Sequence, residues 1–376
     1  MKVYFDNAAT TPILPEVIKE MAELMNQEFG NPSSIHSSGR SARAQIEKAR
    51  KIIANGLNSS IGEIFFTSSA TESNNTALRQ AVNSLGVKHI ISSPTEHPCV
   101  INTILDLHKT KGIRSTQLTI NEKGEISLDE LKEHLENSTE KTLVSLMWGN
   151  NEIGTIHPIA EVSLLCKEYG ALLHCDAVQV LGKFPIDLEA THIDYLSGTA
   201  HKLYGPKGSA FLYIKGDSLI PPFITGGSQE RNMRAGTENI YGIVGLAKAF
   251  ELSLERMEER RTQIEIVRNY MKERLASQFP TCTFNGVQEG DFLYHILSVC
   301  FPYSPKNEML IYNLDIKEIA ASTGSACSSG TDKGSHVLEA IKPHNKAITI
   351  RFSFSFKNTK QEVDYVVNTL SEVLEV

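Results

Sequence analysis

Asp176, Gln179 and Lys202 fall in two short stretches whose residue types could do cofactor chemistry together. The first reads Ala171-Leu-Leu-His-Cys-Asp-Ala-Val-Gln179, and the second Thr199-Ala-His-Lys202. On a strand, side chains two apart share a face, so His174 and Asp176 point together while Cys175 points away. An aspartate ending a buried strand is costly unless a cation or strong donor meets it. The next apolar run, from Ile193, ends in Thr199, His201 and Lys202. Parallel strands bring their carboxyl ends to one edge, where α/β proteins bind ligands. A lysine amine forms a Schiff base with an aldehyde, and pyridoxal phosphate also takes an acidic partner at its pyridine nitrogen. Asp176 would keep that nitrogen protonated, Gln179 would donate to the phenolic oxygen, and Thr199 with His201 would hold the phosphate. A buried Asp176–Lys202 salt bridge competes as an account of the same two residues.

A second phosphate-type feature lies upstream. Ile64-Phe-Phe-Thr67 reads as a buried strand, followed by Ser68-Ser-Ala-Thr-Glu-Ser-Asn-Asn75 and a helix to about Leu85. Free N–H groups at a helix start attract an anion, and Thr71 adds a hydroxyl. The helix dipole supplies only about 0.3–1 kcal/mol, so several donors must converge. Thr71 or Ser73 capping its own helix is the plainer account. His97 follows the strand His89–Ser92 on the ligand side, where stacking on a ring is available to it. Asn151, in a polar loop after Leu143–Met147, could reach the same ligand. Arg351 stands inside the apolar run Ile348–Ser353 with no obvious protein carboxylate, and a substrate carboxylate would fit its fork. Cys327 sits in Ala321-Ser-Thr-Gly-Ser-Ala-Cys-Ser-Ser-Gly330, which has no apolar face to bury, so its thiol is expected to be exposed and mobile. A free thiol has a pKa of about 8.5 and needs a base or cation nearby to react well.

These residues need a scaffold, and the pattern around them supplies one. Leu14, Val17, Ile18, Met21, Leu24 and Met25 recur at helical spacing, and Ala42, Ile46, Ala49, Ile52 and Ile53 mark a second helix. From Ile64 onward strands and helices alternate, which predicts a mostly parallel sheet with helices on both faces. A long helix from about Glu238 to Ser277, with a possible break, bridges to a smaller α+β part. We expect a large domain over 15–255 and a small one from 1–14 and 256–376, the cysteine loop occupying about 321–333. Hydrophobic residues at 41% and charged residues at 22% suit a globular protein. A net charge of -7 offers no basic field for nucleic acid or anionic membrane. No apolar run reaches spanning length. Cys99, Cys166, Cys175, Cys282, Cys300 and Cys327 are scattered, without a C-x-x-C pair. That argues against disulfides or a zinc ribbon and for the cytoplasm.

Taken in order, several stretches resemble one family. They are Phe5-Asp-Asn-Ala-Ala-Thr, Gly30-Asn-Pro-Ser-Ser, Ala70-Thr-Glu-Ser-Asn-Asn, Asn150-Asn-Glu-Ile-Gly and Ala200-His-Lys-Leu-Tyr-Gly-Pro-Lys-Gly, then Gln229-Glu-Arg, Met233-Arg-Ala-Gly-Thr and Gly324-Ser-Ala-Cys. The set is similar to the cysteine desulfurases of the NifS/IscS type, in aminotransferase class V of the fold-type I pyridoxal phosphate enzymes. The resemblance implies a seven-stranded, mostly parallel large domain and pyridoxal phosphate on Lys202. His97 would stack on the ring and carry protons, and Ala70, Thr71, Thr199 and His201 would surround the phosphate. Asn151 would contact cofactor and substrate, and with Arg351 would orient L-cysteine. Thr237 would reach the partner subunit's cofactor, making a homodimer necessary. Cys327 would take sulfur from cysteine, leaving alanine and a persulfide for an acceptor protein in iron–sulfur cluster assembly or in tRNA or cofactor thiolation. Departures are Gly226-Gly-Ser-Gln for Gly-Gly-Gly-Gln, Thr199 for serine, and Phe356 where many members repeat an arginine. The chain also ends soon after its last helix, which leaves the acceptor open. A selenocysteine lyase or another class V enzyme is the alternative, and a non-catalytic sulfur-relay protein a more distant one.

Overall fold

The computed structural model describes residues 1–305, 307–323, 334–342 and 347–375. Strand β1 (Val3–Tyr4) opens the chain and is followed by helices α1 (Pro15–Gln27) and α2 (Ser37–Gly56). Proline at the first position of α1 sits where its missing N–H costs nothing. Then come β2 (Ile64–Thr67), α3 (Ala70–Leu85), β3 (His89–Ser92), α4 (Pro98–Lys111), β4 (Arg114–Gln117), α5 (Leu128–Glu136), β5 (Thr142–Met147), α6 (Ile159–Glu168), β6 (Leu172–Asp176), β7 (Tyr195–Thr199) and β8 (Ala210–Ile214).

These strands form one seven-stranded sheet in the order β2-β8-β7-β6-β5-β3-β4. Only β8 runs against its neighbours; every other pairing is parallel. The expected mostly parallel α/β sheet is therefore present. Its central strands β5 and β7 are buried along their whole length, as strands covered on both faces must be. Six strand ends consequently point to one edge, and the loops after β2, β3, β5, β6 and β7 meet there.

The long helix breaks at Arg256 into α7 (Ile240–Glu255) and α8 (Met257–Gln278). Helix α7 packs on both α1 and α2. Beyond it lie β9 (Thr283–Phe284), β10 (Ile296–Phe301), α9 (Leu310–Ile316), β11 (Ile319–Ala320), α10 (His336–Ile341), β12 (Ile348–Ser353) and α11 (Lys360–Leu374). Strands β12, β10 and β9 form an antiparallel sheet, and β1 pairs in parallel with β11. Val3 and Phe5 join a second core with Val299, Ile350, Phe352 and residues of α8 and α11. The N-terminal segment thus carries Asp6 to Ala9 across toward the large sheet's edge.

The apolar spacing of α1 is only partly used within the chain. Val17 and Leu24 are buried, whereas Ile18 and Met25 are half exposed. Helical periodicity identifies an apolar face; it does not say how much of that face one chain covers.

Candidate active site

Side chains from five strand ends line one cavity of ≈ 220 Å³. Ala70 and Thr71 come from the start of α3, His97 from the start of α4, Asn151 from the loop after β5, Asp176 and Gln179 from the end of β6, and Thr199, His201 and Lys202 from the end of β7. Arg351 enters from β12. The cap of α3 is neither Thr71 nor Ser73 but Ser69, whose side chain accepts from the Glu72 amide. Thr71 is therefore left exposed at the helix start. Thr237 is not brought here; it is exposed and lines a separate cavity of ≈ 130 Å³. Cys327 lies outside the described residues.

Asp176 is not salt-bridged to Lys202. Its Oδ2 accepts from Asn74 Nδ2 at 2.7 Å and its Oδ1 from the Val178 amide at 3.1 Å. A chain of buried groups orients that donor. Asn74 Oδ1 accepts from His174 Nε2 at 3.1 Å, so His174 Nδ1 is the lone-pair nitrogen facing the Ser145 hydroxyl at 2.8 Å. Burial pushes the His174 imidazole down to about 4, so it remains neutral and this tautomer persists at neutral pH. The shared face of His174 and Asp176, read from alternation, is used in this way. Asn74 is a site residue that the sequence pattern did not single out. Its place one turn after Ala70 on α3, on the face toward the sheet, is the signal that could have found it.

Lys202 Nζ donates to the carbonyls of Ala8 and Ala9 at 2.5 and 2.6 Å, so the N-terminal segment forms one wall of the cavity. Gln179 Nε2 donates to the Ala8 carbonyl at 3.1 Å, which turns its Oε1 toward His295 Nε2 at 3.0 Å. His201 Nδ1 lies 3.3 Å from the Thr10 hydroxyl, and Thr199 Oγ1 donates to the Ser209 carbonyl at 3.3 Å. Burial, with Lys202, Lys207 and Lys183 adding to it, pushes His201 down to about 4.

His97 caps α4. Its Nδ1 accepts from the Cys99 amide at 3.2 Å, which leaves the ring proton on Nε2. Burial holds this imidazole below its ordinary pKa, Asp176 opposing and Lys202 and His336 reinforcing the shift. Cys99 lines the cavity with its Sγ 3.3 Å from Asn74 Nδ2. Burial and then Asp176 push its thiol up to about 12, which keeps it protonated and a poor nucleophile. Beside it, Glu96 is fully buried, with Oε1 accepting from the Met147 amide at 2.6 Å. Burial raises its carboxyl well above the usual range.

Arg351 does have a protein carboxylate. Its Nη2 meets Asp6 Oδ1 at 2.7 Å, Nη1 donates to the Asn151 carbonyl at 2.9 Å, and Nε is buried without a protein partner among the described residues. The bridge between Asp6 and Ser353 makes this pairing possible. A primary amine, a buried carboxylate, a neutral imidazole and a guanidinium with donor capacity to spare therefore face one cavity.

Comparison with known proteins agrees with this arrangement. The model of the family described as aminotransferase class-V matches residues 3–366. The chain is 41% identical over 378 residues to a cysteine desulfurase IscS of Dictyoglomus turgidum, covering 100% of this chain and 95% of that protein. A cysteine desulfurase IscS of Methanosarcina thermophila is also 41% identical, over 99% of this chain and 92% of its own. Among solved structures, a NifS-like protein superposes with a TM-score of 0.91 at 37% identity, covering 100% of both chains. A structure of SspA in complex with cysteine reaches a TM-score of 0.80 at 31% identity, over 96% of this chain and 100% of that one. With its sheet order, its strand-end cavity and these full-length matches, the chain belongs to the aminotransferase class V family.

Proposed function

We propose that this chain is a cysteine desulfurase that uses pyridoxal phosphate to remove sulfur from L-cysteine. The observation that carries the reading is the convergence of Lys202, Asp176, Gln179, His97 and Arg351 on one cavity in a chain about 40% identical to proteins so named. The residues fit the cofactor by their chemistry. Lys202 supplies an amine for the aldehyde, Asp176 a carboxylate for the pyridine nitrogen, and Gln179 a donor for the phenolic oxygen. Ala70 and Thr71 at the free start of α3, with Thr199 and His201, would hold the phosphate. When bound, pyridoxal phosphate supplies an electron sink for the substrate's α-carbon.

The protein's own groups do the rest. Arg351 and Asn151 orient the substrate; the spare guanidinium donors suit its carboxylate. His97, neutral with its proton on Nε2, is positioned to carry a proton between substrate atoms. The Cys327 thiolate attacks the substrate sulfur, an S–S bond forms as the Cβ–S bond breaks, and alanine leaves once Cβ is protonated. The persulfide then passes to a sulfur-acceptor protein, an iron–sulfur scaffold or a thiolating enzyme, in the cytoplasm. On this reading 15–255 form the cofactor-binding domain and 1–14 with 256–376 the small domain. A homodimer is supported by exposed apolar side chains at Phe29 (85%) and Ile35 (90%) on a segment tied to the Thr237 loop by Gln229 Nε2 to Ser33 Oγ at 3.4 Å. Thr237 would then serve the partner subunit's cofactor.

The test is intact mass after incubation with L-cysteine, for the wild type and Cys327→Ser. The expected result is a sulfur adduct on the wild type alone, with alanine released. Alanine production by both at equal rates would instead indicate a lyase that does not use Cys327.

A further inference from the structure

Gln179 and Lys202 line the cavity just described, and the partners that hold them from behind, His295 and Lys183, both line a second one. This second cavity measures ≈ 20 Å³ and also receives Asn7 and Arg260. A water molecule needs about 10–15 Å³ measured this way, so there is room for one. The polar atoms around it are unusual. Asn7 Oδ1, His295 Nδ1 and Arg260 Nη2 are buried with no hydrogen-bond partner among the described residues, and all three residues are at least nine-tenths buried.

Their donor and acceptor roles are set by the bonds they do make. Asn7 Nδ2 donates to the Ser353 carbonyl at 2.9 Å, which fixes Oδ1 as the acceptor left over. Gln179 presents Oε1 to His295 Nε2, so that nitrogen is the donor and Nδ1 the lone pair. Arg260 Nη1 donates to Ser253 Oγ at 3.2 Å, leaving Nη2 to donate elsewhere. Lys183 Nζ donates to the Lys202 carbonyl at 3.0 Å and has further N–H groups. Two acceptors and two donors are what one water satisfies. An anion could accept from Arg260 and Lys183, but it would face the lone pairs of Asn7 and His295. Lys183 turns inward because Gly182 adopts φ +69, close against Ser253, where any side chain would be strained and crowded.

We propose that this cavity binds one ordered water molecule, and that the water together with Lys183 forms a support that positions the Lys202 main chain. The groups facing Lys183 are Lys202, His201, Arg260 and His295, with the phenols of Tyr204 and Tyr294, and no carboxylate lines the cavity among the described residues. Burial and Lys202 push the Lys183 ammonium down to about 7. As ammonium or as neutral amine the Lys183 side chain still has an N–H to donate, so its hydrogen bond to the Lys202 carbonyl at 3.0 Å does not depend on its charge. The water site stands on its own geometry, whereas the role toward Lys202 rests on the cofactor reading above.

Two measurements test it. A high-resolution crystal structure of the holoenzyme soaked in bromide should show one solvent peak within hydrogen-bond range of Asn7 Oδ1 and His295 Nδ1, without anomalous signal. A bromide peak, or no ordered peak, overturns the water site. For the positioning role, capture of pyridoxal phosphate by apoenzyme is followed by absorbance across neutral and alkaline pH. Lys183→Met, which takes away the donor to the Lys202 carbonyl, should slow capture about tenfold across that range. Lys183→Gln, which keeps a donor for the Lys202 carbonyl, should recover most of the wild-type rate, and Lys183→Ala replaces the methionine variant if that one fails to fold. An unchanged rate in the folded methionine or alanine variant, or no recovery in the glutamine variant, overturns the role. Failure of the wild type to capture the cofactor would overturn the role and the proposed function together, while the solvent peak still judges the site.

Discussion

Replacing Asp6 by alanine removes the carboxylate paired with a guanidinium that is 1% exposed. Breaking a buried pair from one side costs about 3–5 kcal/mol, because the remaining charge is left uncompensated. Asp6 itself is 17% exposed, and Arg351 keeps the Asn151 carbonyl at 2.9 Å, so the cost belongs at the lower end, about 3 kcal/mol. The loss also includes the bond from Ser322 Oγ to Asp6 Oδ1 at 2.9 Å. The second consequence separates this account from a purely structural one. In the wild type a ligand carboxylate must share Arg351 with Asp6; in Asp6→Ala it would have the guanidinium to itself. L-Alanine, the product of the proposed reaction, should therefore stabilise the variant more than the wild type. A tenfold gain in affinity adds about 1.4 kcal/mol of stabilisation at saturating ligand. The assay is urea unfolding of both proteins with and without L-alanine. Equal stabilisation by L-alanine, or a destabilisation below about 1 kcal/mol without it, would refute the reasoning that Arg351 is shared between protein and ligand.

Three further outcomes follow from buried polar groups. Asn74→Ala removes the 2.7 Å donor to Asp176 and strands His174 Nε2–H. A hydrogen bond to a charged group is worth about 1.5–3 kcal/mol, so pyridoxal phosphate should dissociate at least about tenfold more readily; an unchanged spectrophotometric titration would count against the relay. His157 is buried with both ring nitrogens unpartnered among the described residues, and burial lowers it from 6.5 to about 4. Its native pKa lies below the unfolded one, so stability is complete above the unfolded value and is lost as pH falls toward 4, by about 3 kcal/mol at the acid end. His157→Leu should flatten the dependence of the urea midpoint on pH between 6.5 and 4, and an equal slope in both proteins would be evidence against it. Arg50 and Glu230 form a two-pronged pair at 2.7 and 2.9 Å, each side chain 2% exposed. Glu230→Ala should cost about 3–5 kcal/mol, and Arg50→Met with Glu230→Leu should recover most of it; failure of the double variant to do so would point to the left-handed backbone at Glu230 instead.

Asp176, Gln179, Thr199, His201 and Lys202 are legible in the sequence because strand alternation and the common edge of a parallel sheet are local rules, and each residue lies at or within a few positions of a strand end. What holds them in place is not legible, and the reason is distance along the chain. Asp6 pairs with Arg351 across 345 residues, Asn7 bonds Ser353 across 346, and His295 meets Gln179 across 116. Each contact depends on the N-terminal segment bridging to β12, or on β10 docking beside the large sheet, and no spacing rule encodes either event. Arg351 looks unpartnered in the sequence for that reason: its carboxylate arrives from the other end of the chain. The exposed Ile18 and Met25 are the complementary case, since their spacing marks a genuine helix but says nothing of how far the chain's own packing covers that face. Lys183 follows the same logic at the smallest scale. Nothing in its neighbourhood of the sequence marks it as buried, and only the Gly182 turn against Ser253 carries its ammonium to the Lys202 carbonyl. Reactive groups are set by local geometry here, and their supports by the closure of the N-terminal segment over the sheet edge. Substitutions that loosen that closure, at Asp6 or Asn7, should therefore disturb Lys202 and Arg351 together, although both positions lie far along the chain from the strands that carry them.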